Sequence, residues 1–329
     1  MTRVLITGGG GFIGAHLAHV LSEGGHEIDL IDDLSRGQAD DDLRTLTDRR
    51  NVRLLERDLL APDGLEGLPA DYGLIFHLAA IVGVANVLEA PYQVLRNNIE
   101  LLNTVLDLAA AQPALERFVF ASTSEVYAGT FEVSELPIPT PEDVPLTVPD
   151  PQRPRTSYML SKLYGEALAH QSGLPATVVR PHNVYGPRMG MAHVIPELLQ
   201  RAHEASDGET LEVYSVDHRR TVCFVADAVE LIVRAAESSE AEGETLNVGA
   251  EGPEVSIGEL ADMVLATVGR RLEIEPLPPH PGSPERRCPD MSKAAKLTGY
   301  SAQVPLEDGL RQTYDWYRQA VFTTGPGAG

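Results

Sequence analysis

The hydrophobic positions in the first half of the chain fall into short apolar runs separated by segments of helical spacing. Each run is typical of a buried strand, and the runs lie at residues 4–6, 27–31, 52–55, 74–78, 118–120 and 177–179. Apolar residues recur at helical intervals in residues 15–23, 91–111 and 158–171. Strands and helices in alternation predict a parallel sheet that is covered by helices on both faces.

The rhythm changes after Arg180, where helical segments at 196–204 and 225–236 interrupt the strand pattern. We therefore expect a smaller, mixed α/β C-terminal lobe. The predicted division assigns residues 1–182 plus 221–250 to the sheet domain and residues 183–220 plus 251–320 to the lobe, with a disordered tail at 321–329. The segment 137–154 contains seven prolines and predicts a long loop that caps a site, and the segment 276–284 contains five.

The charge of the chain excludes one broad class of function. The 329 residues include 48 acidic and 26 basic side chains, and the formal charge of −22 repels nucleic acid and anionic membranes. Two cysteines, Cys223 and Cys288, are too few for a disulfide framework or a cysteine-rich metal site, and the ten histidines are scattered, so no metal is expected. No apolar stretch reaches the roughly 20 residues of a membrane span. The sequence predicts a soluble, cytoplasmic protein without a nucleic-acid or membrane partner.

A glycine-rich turn joins the first predicted strand to the first predicted helix. Gly8, Gly11 and Gly14 are spaced three residues apart, which permits a tight turn, the close approach of a pyrophosphate, and helix amides that face the phosphates. Asp32 closes the second strand 18 residues after Gly14, where a carboxylate accepts hydrogen bonds from both ribose hydroxyls. The pattern predicts a bound dinucleotide. Because Asp32 would repel a 2′-phosphate, NAD is favoured over NADP, and Arg36 is the one feature that softens this preference.

A tyrosine and a lysine one helical turn apart supply candidate acid–base chemistry. Tyr158 and Lys162 begin a predicted helix at positions i and i+4, and therefore lie on one face. A nearby ammonium lowers the pKa of a phenol from its usual value near 10, so the pair would act as a general base. The polar segment 122–125 follows a predicted strand and lies at the carboxyl edge of the sheet, where open α/β sheets bind ligands.

These motifs occur together, in an order that resembles one known family. They are the segments 7–14, 77–80, 122–127 and 180–187, with Asp32, Asn98, Tyr158 and Lys162. From Val4 to about Tyr317 the chain is similar to the extended short-chain dehydrogenase/reductase family, and within it to the nucleotide-sugar epimerases, dehydratases and decarboxylases. The resemblance implies a Rossmann-type doubly wound fold and a tightly held NAD that is reduced and reoxidised within one turnover. It also implies a nucleotide-diphosphate sugar as substrate, with a UDP-sugar favoured, and a homodimer formed through the helices at 91–111 and 158–171.

The resemblance assigns roles to individual positions. Tyr158 would accept the proton of a sugar hydroxyl, while Lys162 binds the nicotinamide ribose and Thr123 hydrogen-bonds the same sugar oxygen. The positions that match cofactor-binding residues are Gly8, Gly11, Phe12, Ile13, Gly14, Asp32, Asp58, Leu59, Leu78, Ala79, Ala80, Asn98, Tyr158 and Lys162. The positions that match substrate-binding residues are Thr123, Ser124, Glu125, Tyr158, Asn183, Arg188, His193, Arg220, Arg286 and Arg287. Guanidinium forks suit the diphosphate, with Arg286 or Arg287 as the second arginine, and Arg188 is predicted to meet a substrate carboxylate.

Three reactions can follow oxidation of the sugar at C4. Return of the hydride to the other face gives a 4-epimer, loss of the C5 proton and the C6 hydroxyl gives a 4-keto-6-deoxy sugar, and loss of a uronate carboxylate gives a pentose. In the family, simple 4-epimerases have a small residue at the position of Glu125. Dehydratases have Asp-Glu or Ser-Glu there, and uronate decarboxylases have Ser-Glu, the pair present here as Ser124 and Glu125. The catalytic set is therefore Thr123, Ser124, Glu125, Tyr158 and Lys162.

One feature opposes decarboxylation, because the longer insert that those enzymes carry after the turn at 186–188 is missing. We interpret the sequence as that of an NAD-dependent 4-epimerase acting on a UDP-hexose or a UDP-hexuronate such as UDP-glucuronate. Decarboxylation of UDP-glucuronate and 4,6-dehydration of a nucleotide-linked hexose stay open as alternatives. A non-catalytic protein that binds nucleotide sugar and NAD, or a reductase that releases its NADH, is the alternative of another class.

Overall fold

A seven-stranded parallel sheet forms the centre of the molecule. The computed structural model describes residues 1–36, 39–206, 208–279 and 284–322. The strands within these ranges are β1 (Arg3–Thr7), β2 (Glu27–Asp32), β3 (Val52–Glu56), β4 (Tyr72–His77), β5 (Arg117–Ala121), β6 (Ala176–Pro181), β7 (Val184–Tyr185), β8 (Thr210–Tyr214), β9 (Arg219–Arg220), β10 (Cys223–Phe224), β11 (Thr245–Val248), β12 (Val255–Ser256), β13 (Glu273–Leu277) and β14 (Arg286–Arg287). The helices are α1 (Phe12–Glu23), α2 (Asp41–Thr47), α3 (Val84–Glu89), α4 (Pro91–Ala110), α5 (Ala128–Val133), α6 (Pro154–Gln171), α7 (Val194–Glu204), α8 (Val225–Glu237), α9 (Ile257–Val268), α10 (Ser292–Thr298) and α11 (Leu306–Ala320).

The order of the strands places a binding crevice between β1 and β4. The central sheet runs β3-β2-β1-β4-β5-β6-β11, and every neighbouring pair is parallel. The chain builds outward from β1 in one direction and then from β4 in the other, so the connections after these two strands separate at the carboxyl edge of the sheet. Ligands of doubly wound sheets bind at this point.

Helices cover the two faces because successive residues of a strand point to opposite sides. Val4 and Ile6 of β1 pack in a core that includes Leu17 of α1 and residues of α8. Leu5 packs on the other face, in a core that includes Leu102 of α4. Helix α6 packs beside α4 on that second face. The sheet is thus buried on both sides, as the continuous apolar runs predict.

Short strands build the smaller C-terminal lobe. Strand β7 pairs with β10, β9 lies between β12 and β14, and β8 pairs with β13. Helix α9 packs against both α7 and α11. The doubly wound sheet and the smaller mixed lobe confirm the predicted fold class, and the residue boundaries of the two domains stay a prediction.

The start of α6, strand β11 and the proline-rich loop show how the structure departs from the elements predicted from the sequence or adds to them. Helix α6 begins at Pro154 and not at Tyr158, because proline in the first turn already has the φ of a helix and needs no N–H partner. The periodicity misses β11, a four-residue strand in which a buried Asn247 interrupts the apolar pattern. In the proline-rich loop, the Thr140 amide donates to the Cys288 carbonyl at 2.8 Å, so the loop crosses to the segment that follows β14.

Three further predictions concern the tail, the membrane and metals. Phe322, in the segment predicted to be disordered, stacks on His203 with ring centroids 5.0 Å apart, and residues 323–329 lie outside the described ones. Within the described ranges, no helix is long and apolar enough to cross a membrane. Nor do three His, Cys, Asp or Glu side chains gather into a group that could hold a metal ion in that part of the chain.

Candidate active site

The glycine turn between β1 and α1 fits a dinucleotide. Gly8 has φ +71°, and a Cβ at this residue would lie 2.7 Å from the amide nitrogen of Ala79. A Cβ on Gly14 would lie 2.2 Å from the carbonyl oxygen of Gly8. Gly11 precedes α1, and none of the described side chains caps this helix start, so its first amides can bind an anion. The turn therefore has no room for side chains at Gly8 and Gly14, and the free amides at the start of α1 can hold the pyrophosphate of NAD.

Asp32 closes β2 beside the glycine turn. Its carboxylate accepts hydrogen bonds from the amides of Gly10 at 2.9 Å and Leu34 at 2.8 Å. Burial raises the pKa of Asp32, and the backbone amides that bind the carboxylate counteract this effect only in part. Each carboxylate oxygen has a second lone pair, so these bonds fix the side chain and leave it able to accept from ribose hydroxyls.

The loop after β4 is fixed against the turn by bonds within the protein. The Leu78 amide donates to the carbonyl oxygen of Thr7 at 3.0 Å. The Ala79 amide donates to the hydroxyl of the same threonine at 3.4 Å. The Asn98 side chain clamps Ile81, accepting from the amide at 2.7 Å and donating to the carbonyl at 3.1 Å. Asn98 thus shapes the loop that faces the cofactor.

The remaining predicted cofactor residues lie at the start of α1 and after β3. Phe12 and Ile13 open α1 and pack partly against the core, and Leu59 is buried. The Asp58 carboxylate accepts from the Leu60 amide at 2.8 Å, which closes the turn after β3. Binding of the cofactor by Asp58 and Leu59 stays a prediction.

Tyr158 and Thr123 meet at the carboxyl end of β5. The Thr123 hydroxyl lies close enough to the Tyr158 phenol to act on its pKa. The pKa of Tyr158 is raised to about 12, chiefly because the side chain is buried; Glu125 also raises it, whereas Thr123 and Arg36 lower it. The expectation that Lys162 lowers the pKa of Tyr158 below its usual value is therefore wrong for the protein alone.

The position of Lys162 explains this difference. Its Nζ donates to the carbonyl oxygen of Ala121 at 2.7 Å and lies 5.0 Å from the centre of the Phe120 ring. Burial lowers the pKa of Lys162 to about 8, an effect that Glu166 opposes. His77 is kept neutral beside it, because burial and Lys162 lower its pKa to about 3. The ammonium is thus held against the end of β5, and it is not among the groups that shift the pKa of Tyr158.

The register of β9 and β14 decides which arginines face the cleft. The two strands run parallel with Arg287 beside Arg220, and neighbouring residues of a strand point to opposite faces. Arg286 grips the Glu254 carboxylate with two nitrogens, at 2.9 and 2.8 Å. The Nη1 of Arg287 lies 2.7 Å from the Oε1 of Glu125. Of the two arginines that the sequence left open, Arg287 is the one in the cleft.

Glu125 is the acidic partner of this arginine pair. Burial raises its pKa, but the charge of Arg287, its hydrogen bond, and the charges of Arg155 and Arg220 lower the pKa overall. Burial and the charge of Arg287 lower the pKa of Arg220 to about 10, an effect that Glu125 and Glu254 oppose. The guanidinium groups of Arg220 and Arg287 suit an anionic ligand.

Arg188 lies on the cofactor side of the cleft. Its Nε is 2.6 Å from the Oδ2 of Asp40, and its Nη2 donates to the carbonyl oxygen of Gly10 at 3.2 Å. This differs from the predicted position facing a substrate carboxylate. The guanidinium is held there by its bonds to Asp40 and Gly10, and the backbone at Arg188 is left-handed, with φ +66°.

Asn183 and His193 flank the substrate side. Asn183 has φ +43°, and its Nδ2 donates to the carbonyl oxygen of Thr221 at 2.9 Å. His193 precedes α7, and its pKa is lowered by burial and by the charge of Arg36. The charge of Arg36 also lowers the pKa of Tyr158. Contacts of Asn183 and His193 with substrate stay predictions.

A buried polar network below the reaction centre is the feature that sequence reasoning missed. Ser122 donates to Glu166 at 2.5 Å, and Glu166 binds Arg180 through both oxygens, at 2.8 and 2.7 Å. Arg180 donates to the Tyr127 hydroxyl at 2.7 Å, which in turn donates to Asn247 at 2.9 Å. The network ties together the ends of β5, β6 and β11. Its only local signal is a glutamate one helical turn after the predicted lysine, on the same helix face.

Comparison with known proteins identifies the family. The model of the NAD-dependent epimerase/dehydratase family matches residues 4–249. The chain belongs to this family. The enzyme class and the cofactor NAD inferred from the resemblance are thereby confirmed.

Similar proteins span nearly the whole chain. The chain is 34% identical to the UDP-N-acetyl-alpha-D-glucosaminuronate decarboxylase of Bacillus cytotoxicus, over 96% of this chain and 98% of the relative. It is 32% identical to UDP-glucuronic acid decarboxylase 1 of Xenopus tropicalis, over 97% of this chain and 73% of the relative. Among solved structures, the UDP-glucuronic acid 4-epimerase of Bacillus cereus, in complex with UDP-glucuronic acid and NAD, is similar with a TM-score of 0.82 and 28% identity, over 96% of this chain and 99% of that one. These relatives are nucleotide-sugar epimerases and decarboxylases, the group that the motifs resemble.

Proposed function

We propose that the enzyme oxidises a UDP-linked hexuronate at C4 and then releases the uronate carboxylate as carbon dioxide. The sequence alone favours 4-epimerisation, with decarboxylation as an alternative. The single observation that carries the proposal is the ion pair between Glu125 and Arg287, 2.7 Å apart, where Glu125 also acts on the pKa of Tyr158. The two decarboxylases with 34% and 32% identity support the same proposal.

In the proposed binding mode, the ion pair between Glu125 and Arg287 lies beside C5, the carbon next to the one that carries the reacting hydroxyl. Thr123 and Tyr158 define the position of the C4 oxygen, and Glu125 follows Thr123 by two residues and acts on the pKa of Tyr158. In this proposal the C5 substituent of the sugar faces Glu125 and the guanidinium of Arg287. Epimerisation of a neutral hexose needs no charged group at this position, whereas binding of a hexuronate does.

Each step assigns a task to residues of the cleft. Bound NAD supplies the acceptor and later the donor of the C4 hydride, and the positive charge of its nicotinamide favours Tyr158 as the phenolate. Tyr158 takes the proton of the C4 hydroxyl and returns it at the end of the cycle. Between these events the C4 ketone is β to the carboxylate, so the C5–C6 bond breaks and its electron pair enters the C4–C5 enolate. The hydroxyls of Thr123 and Tyr158 stabilise the enolate oxygen, and a proton from water then enters at C5.

The arginines have the complementary task of holding anions. Arg287 and Arg220 lie side by side on β14 and β9 and suit the diphosphate of the substrate. Glu125 keeps Arg287 in place through an ion pair, and its lowered pKa keeps it ionised at neutral pH.

The second candidate is a UDP-glucuronate 4-epimerase. The Bacillus cereus 4-epimerase, with a TM-score of 0.82, favours it, because that enzyme handles a uronate without losing the carboxylate. Both reactions pass through the same C4 ketone, and they differ in whether the C5–C6 bond survives and in whether the hydride returns to the other face of C4. The homodimer also stays a proposal; Tyr92 on α4 and Tyr164 on α6 are exposed, as an interface between these helices would require.

One incubation in deuterium oxide separates the candidates. The protein is mixed with UDP-glucuronate or UDP-N-acetylglucosaminuronate, with UDP-glucose as the control, and the products are examined by NMR and mass spectrometry. Decarboxylation releases carbon dioxide and leaves one deuterium at C5 of the pentose. An isomer of unchanged mass without deuterium at C5 would replace the proposal by 4-epimerisation, loss of water would indicate a dehydratase, and accumulation of NADH would indicate a dehydrogenase.

A further inference from the structure

The side chain of Arg188 crosses from the substrate lobe to the cofactor side of the molecule. Arg188 follows β7, whose partner strand is β10 of the smaller lobe. Its guanidinium nevertheless contacts Asp40, which precedes α2, and the carbonyl oxygen of Gly10 in the glycine turn. A left-handed backbone at a non-glycine residue is unfavourable and is retained where the surrounding structure requires it. The surrounding structure thus holds the backbone at Arg188 in a conformation that an arginine seldom adopts.

Neighbouring contacts fix the same turn. The Nε2 of His16 on α1 lies 3.0 Å from the carbonyl oxygen of Pro187. The hydroxyl of Tyr317 on α11 donates to the carbonyl oxygen of Met189. Arg188 therefore stands on a segment that is anchored on both sides, and its position is part of the fold.

One nitrogen of Arg188 is left without a partner. The side chain is only 6% exposed, and its Nη1 is buried with no hydrogen-bond partner among the described residues. A buried, unsatisfied nitrogen on a charged group is costly, so such an atom in a cleft indicates a ligand. Asp40 does not supply the missing bond: its Oδ2 binds Nε, its Oδ1 accepts from the Leu43 amide at 2.8 Å to cap α2, and neither oxygen is hydrogen-bonded to Nη1.

The surroundings identify which end of the cofactor this nitrogen meets. Gly10, which accepts from Arg188, also donates to Asp32 at the end of β2. These groups lie on the β1–β2 side of the crevice, where a carboxylate such as Asp32 binds the adenosine ribose. The catalytic Tyr158 and Thr123 belong to α6 and the end of β5, on the other side.

We propose that Arg188 is a cofactor-binding residue whose Nη1 donates to the adenosine half of NAD, at the ribose or its phosphate. The turn at 186–189 then connects the substrate lobe directly to the cofactor. In this assignment Arg188 retains NAD through the catalytic cycle and does not contact the sugar of the substrate. The assignment depends on the cofactor alone, and it holds whichever reaction follows oxidation at C4.

The test compares binding of separate ligand fragments. Arg188→Ala and Arg188→Lys are purified with Arg286→Ala as the matched control, since Arg286 is also paired with a carboxylate but faces away from the cleft. Calorimetry gives the affinities for NAD, ADP-ribose and UDP, and acid extraction gives the NAD carried by each purified protein. We expect Arg188→Ala to weaken NAD and ADP-ribose by about 10–100-fold, as loss of a hydrogen bond from a charged group does, with UDP unchanged.

Two results would overturn the assignment. The first is an unchanged affinity for ADP-ribose in both variants. The second is a selective loss of UDP-glucuronate relative to UDP, which would return Arg188 to the substrate carboxylate. If Arg188→Ala does not fold, Arg188→Lys decides the question. Lysine keeps a charge beside Asp40 but has a single nitrogen, so it has no equivalent of Nη1. Its affinity for ADP-ribose must therefore still fall.

Discussion

Glu166 and Arg180 form a buried ion pair whose loss should be measurable as a large change in stability. Their side chains are 6% and 5% exposed, and the carboxylate receives two bonds from the guanidinium. Ser122 and Tyr127 satisfy further positions of the pair. Replacing Glu166 with Gln or Arg180 with Met therefore leaves one charge buried without its partner.

The magnitude follows from this burial. Removing one member of a buried pair destabilises a protein by about 3–5 kcal/mol, because the remaining charge stays desolvated. Each single variant should lose this much. The double variant, Glu166→Gln with Arg180→Met, leaves neither charge, so its loss should be smaller than the sum of the two by about 2 kcal/mol or more.

Urea unfolding at one fixed concentration of NAD gives the three free energies, since a ligand of the native state adds to its stability. The exposed pair of Glu132 and Arg153, 43% and 58% exposed, is the matched control. Glu132→Gln and Arg153→Met should change the free energy of unfolding by less than about 1 kcal/mol. The prediction of a costly unpaired buried charge would be wrong if the single variants at Glu166 and Arg180 lose no more free energy of unfolding than this control. Strictly additive losses in the double variant would also contradict it.

Three further predictions concern the cofactor and the reaction. Tyr158→Phe should reduce turnover by at least about 10²-fold, the usual contribution of a general base, while NAD content stays normal. Gly14→Ala should abolish NAD binding, because its Cβ would lie 2.2 Å from the carbonyl oxygen of Gly8, whereas Gly252→Ala, with no atom within 4 Å of its Cβ, should bind normally. The affinity for NAD should fall as pH rises through about 8, the pKa of Lys162 in the free protein. Above this pH, Lys162 loses the positive charge that strengthens its hydrogen bonds to the ribose.

The contradicting results are equally definite. Near-normal turnover by Tyr158→Phe would remove Tyr158 from its role as base. Equal NAD content in Gly14→Ala and Gly252→Ala would mean that the turn adapts to a side chain. An affinity for NAD that is the same at pH 7 and pH 9.5, or a pH dependence that persists in Lys162→Met, would assign the ribose contact to another group.

Much of the fold is encoded locally. The glycine spacing, Asp32 and the alternation of strands and helices lie within short stretches of chain, and the structure confirms the fold class that they predict. The misses are also local in origin. Proline starts α6 four residues before Tyr158, and Asn247 hides β11 because its side chain is buried by a polar network and not by apolar packing.

The family and the cofactor were readable from the sequence, because they depend on motifs that follow one another along the chain; the reacting side chains that these motifs name stay predictions. How the charges act depends on the fold. The fold turns Arg287 toward Glu125 and Arg286 away, holds Lys162 at the end of β5, and buries Tyr158, which raises its pKa. Electrostatic effects depend on distance and burial, and residues 162 positions apart, such as Glu125 and Arg287, acquire both only when the chain folds.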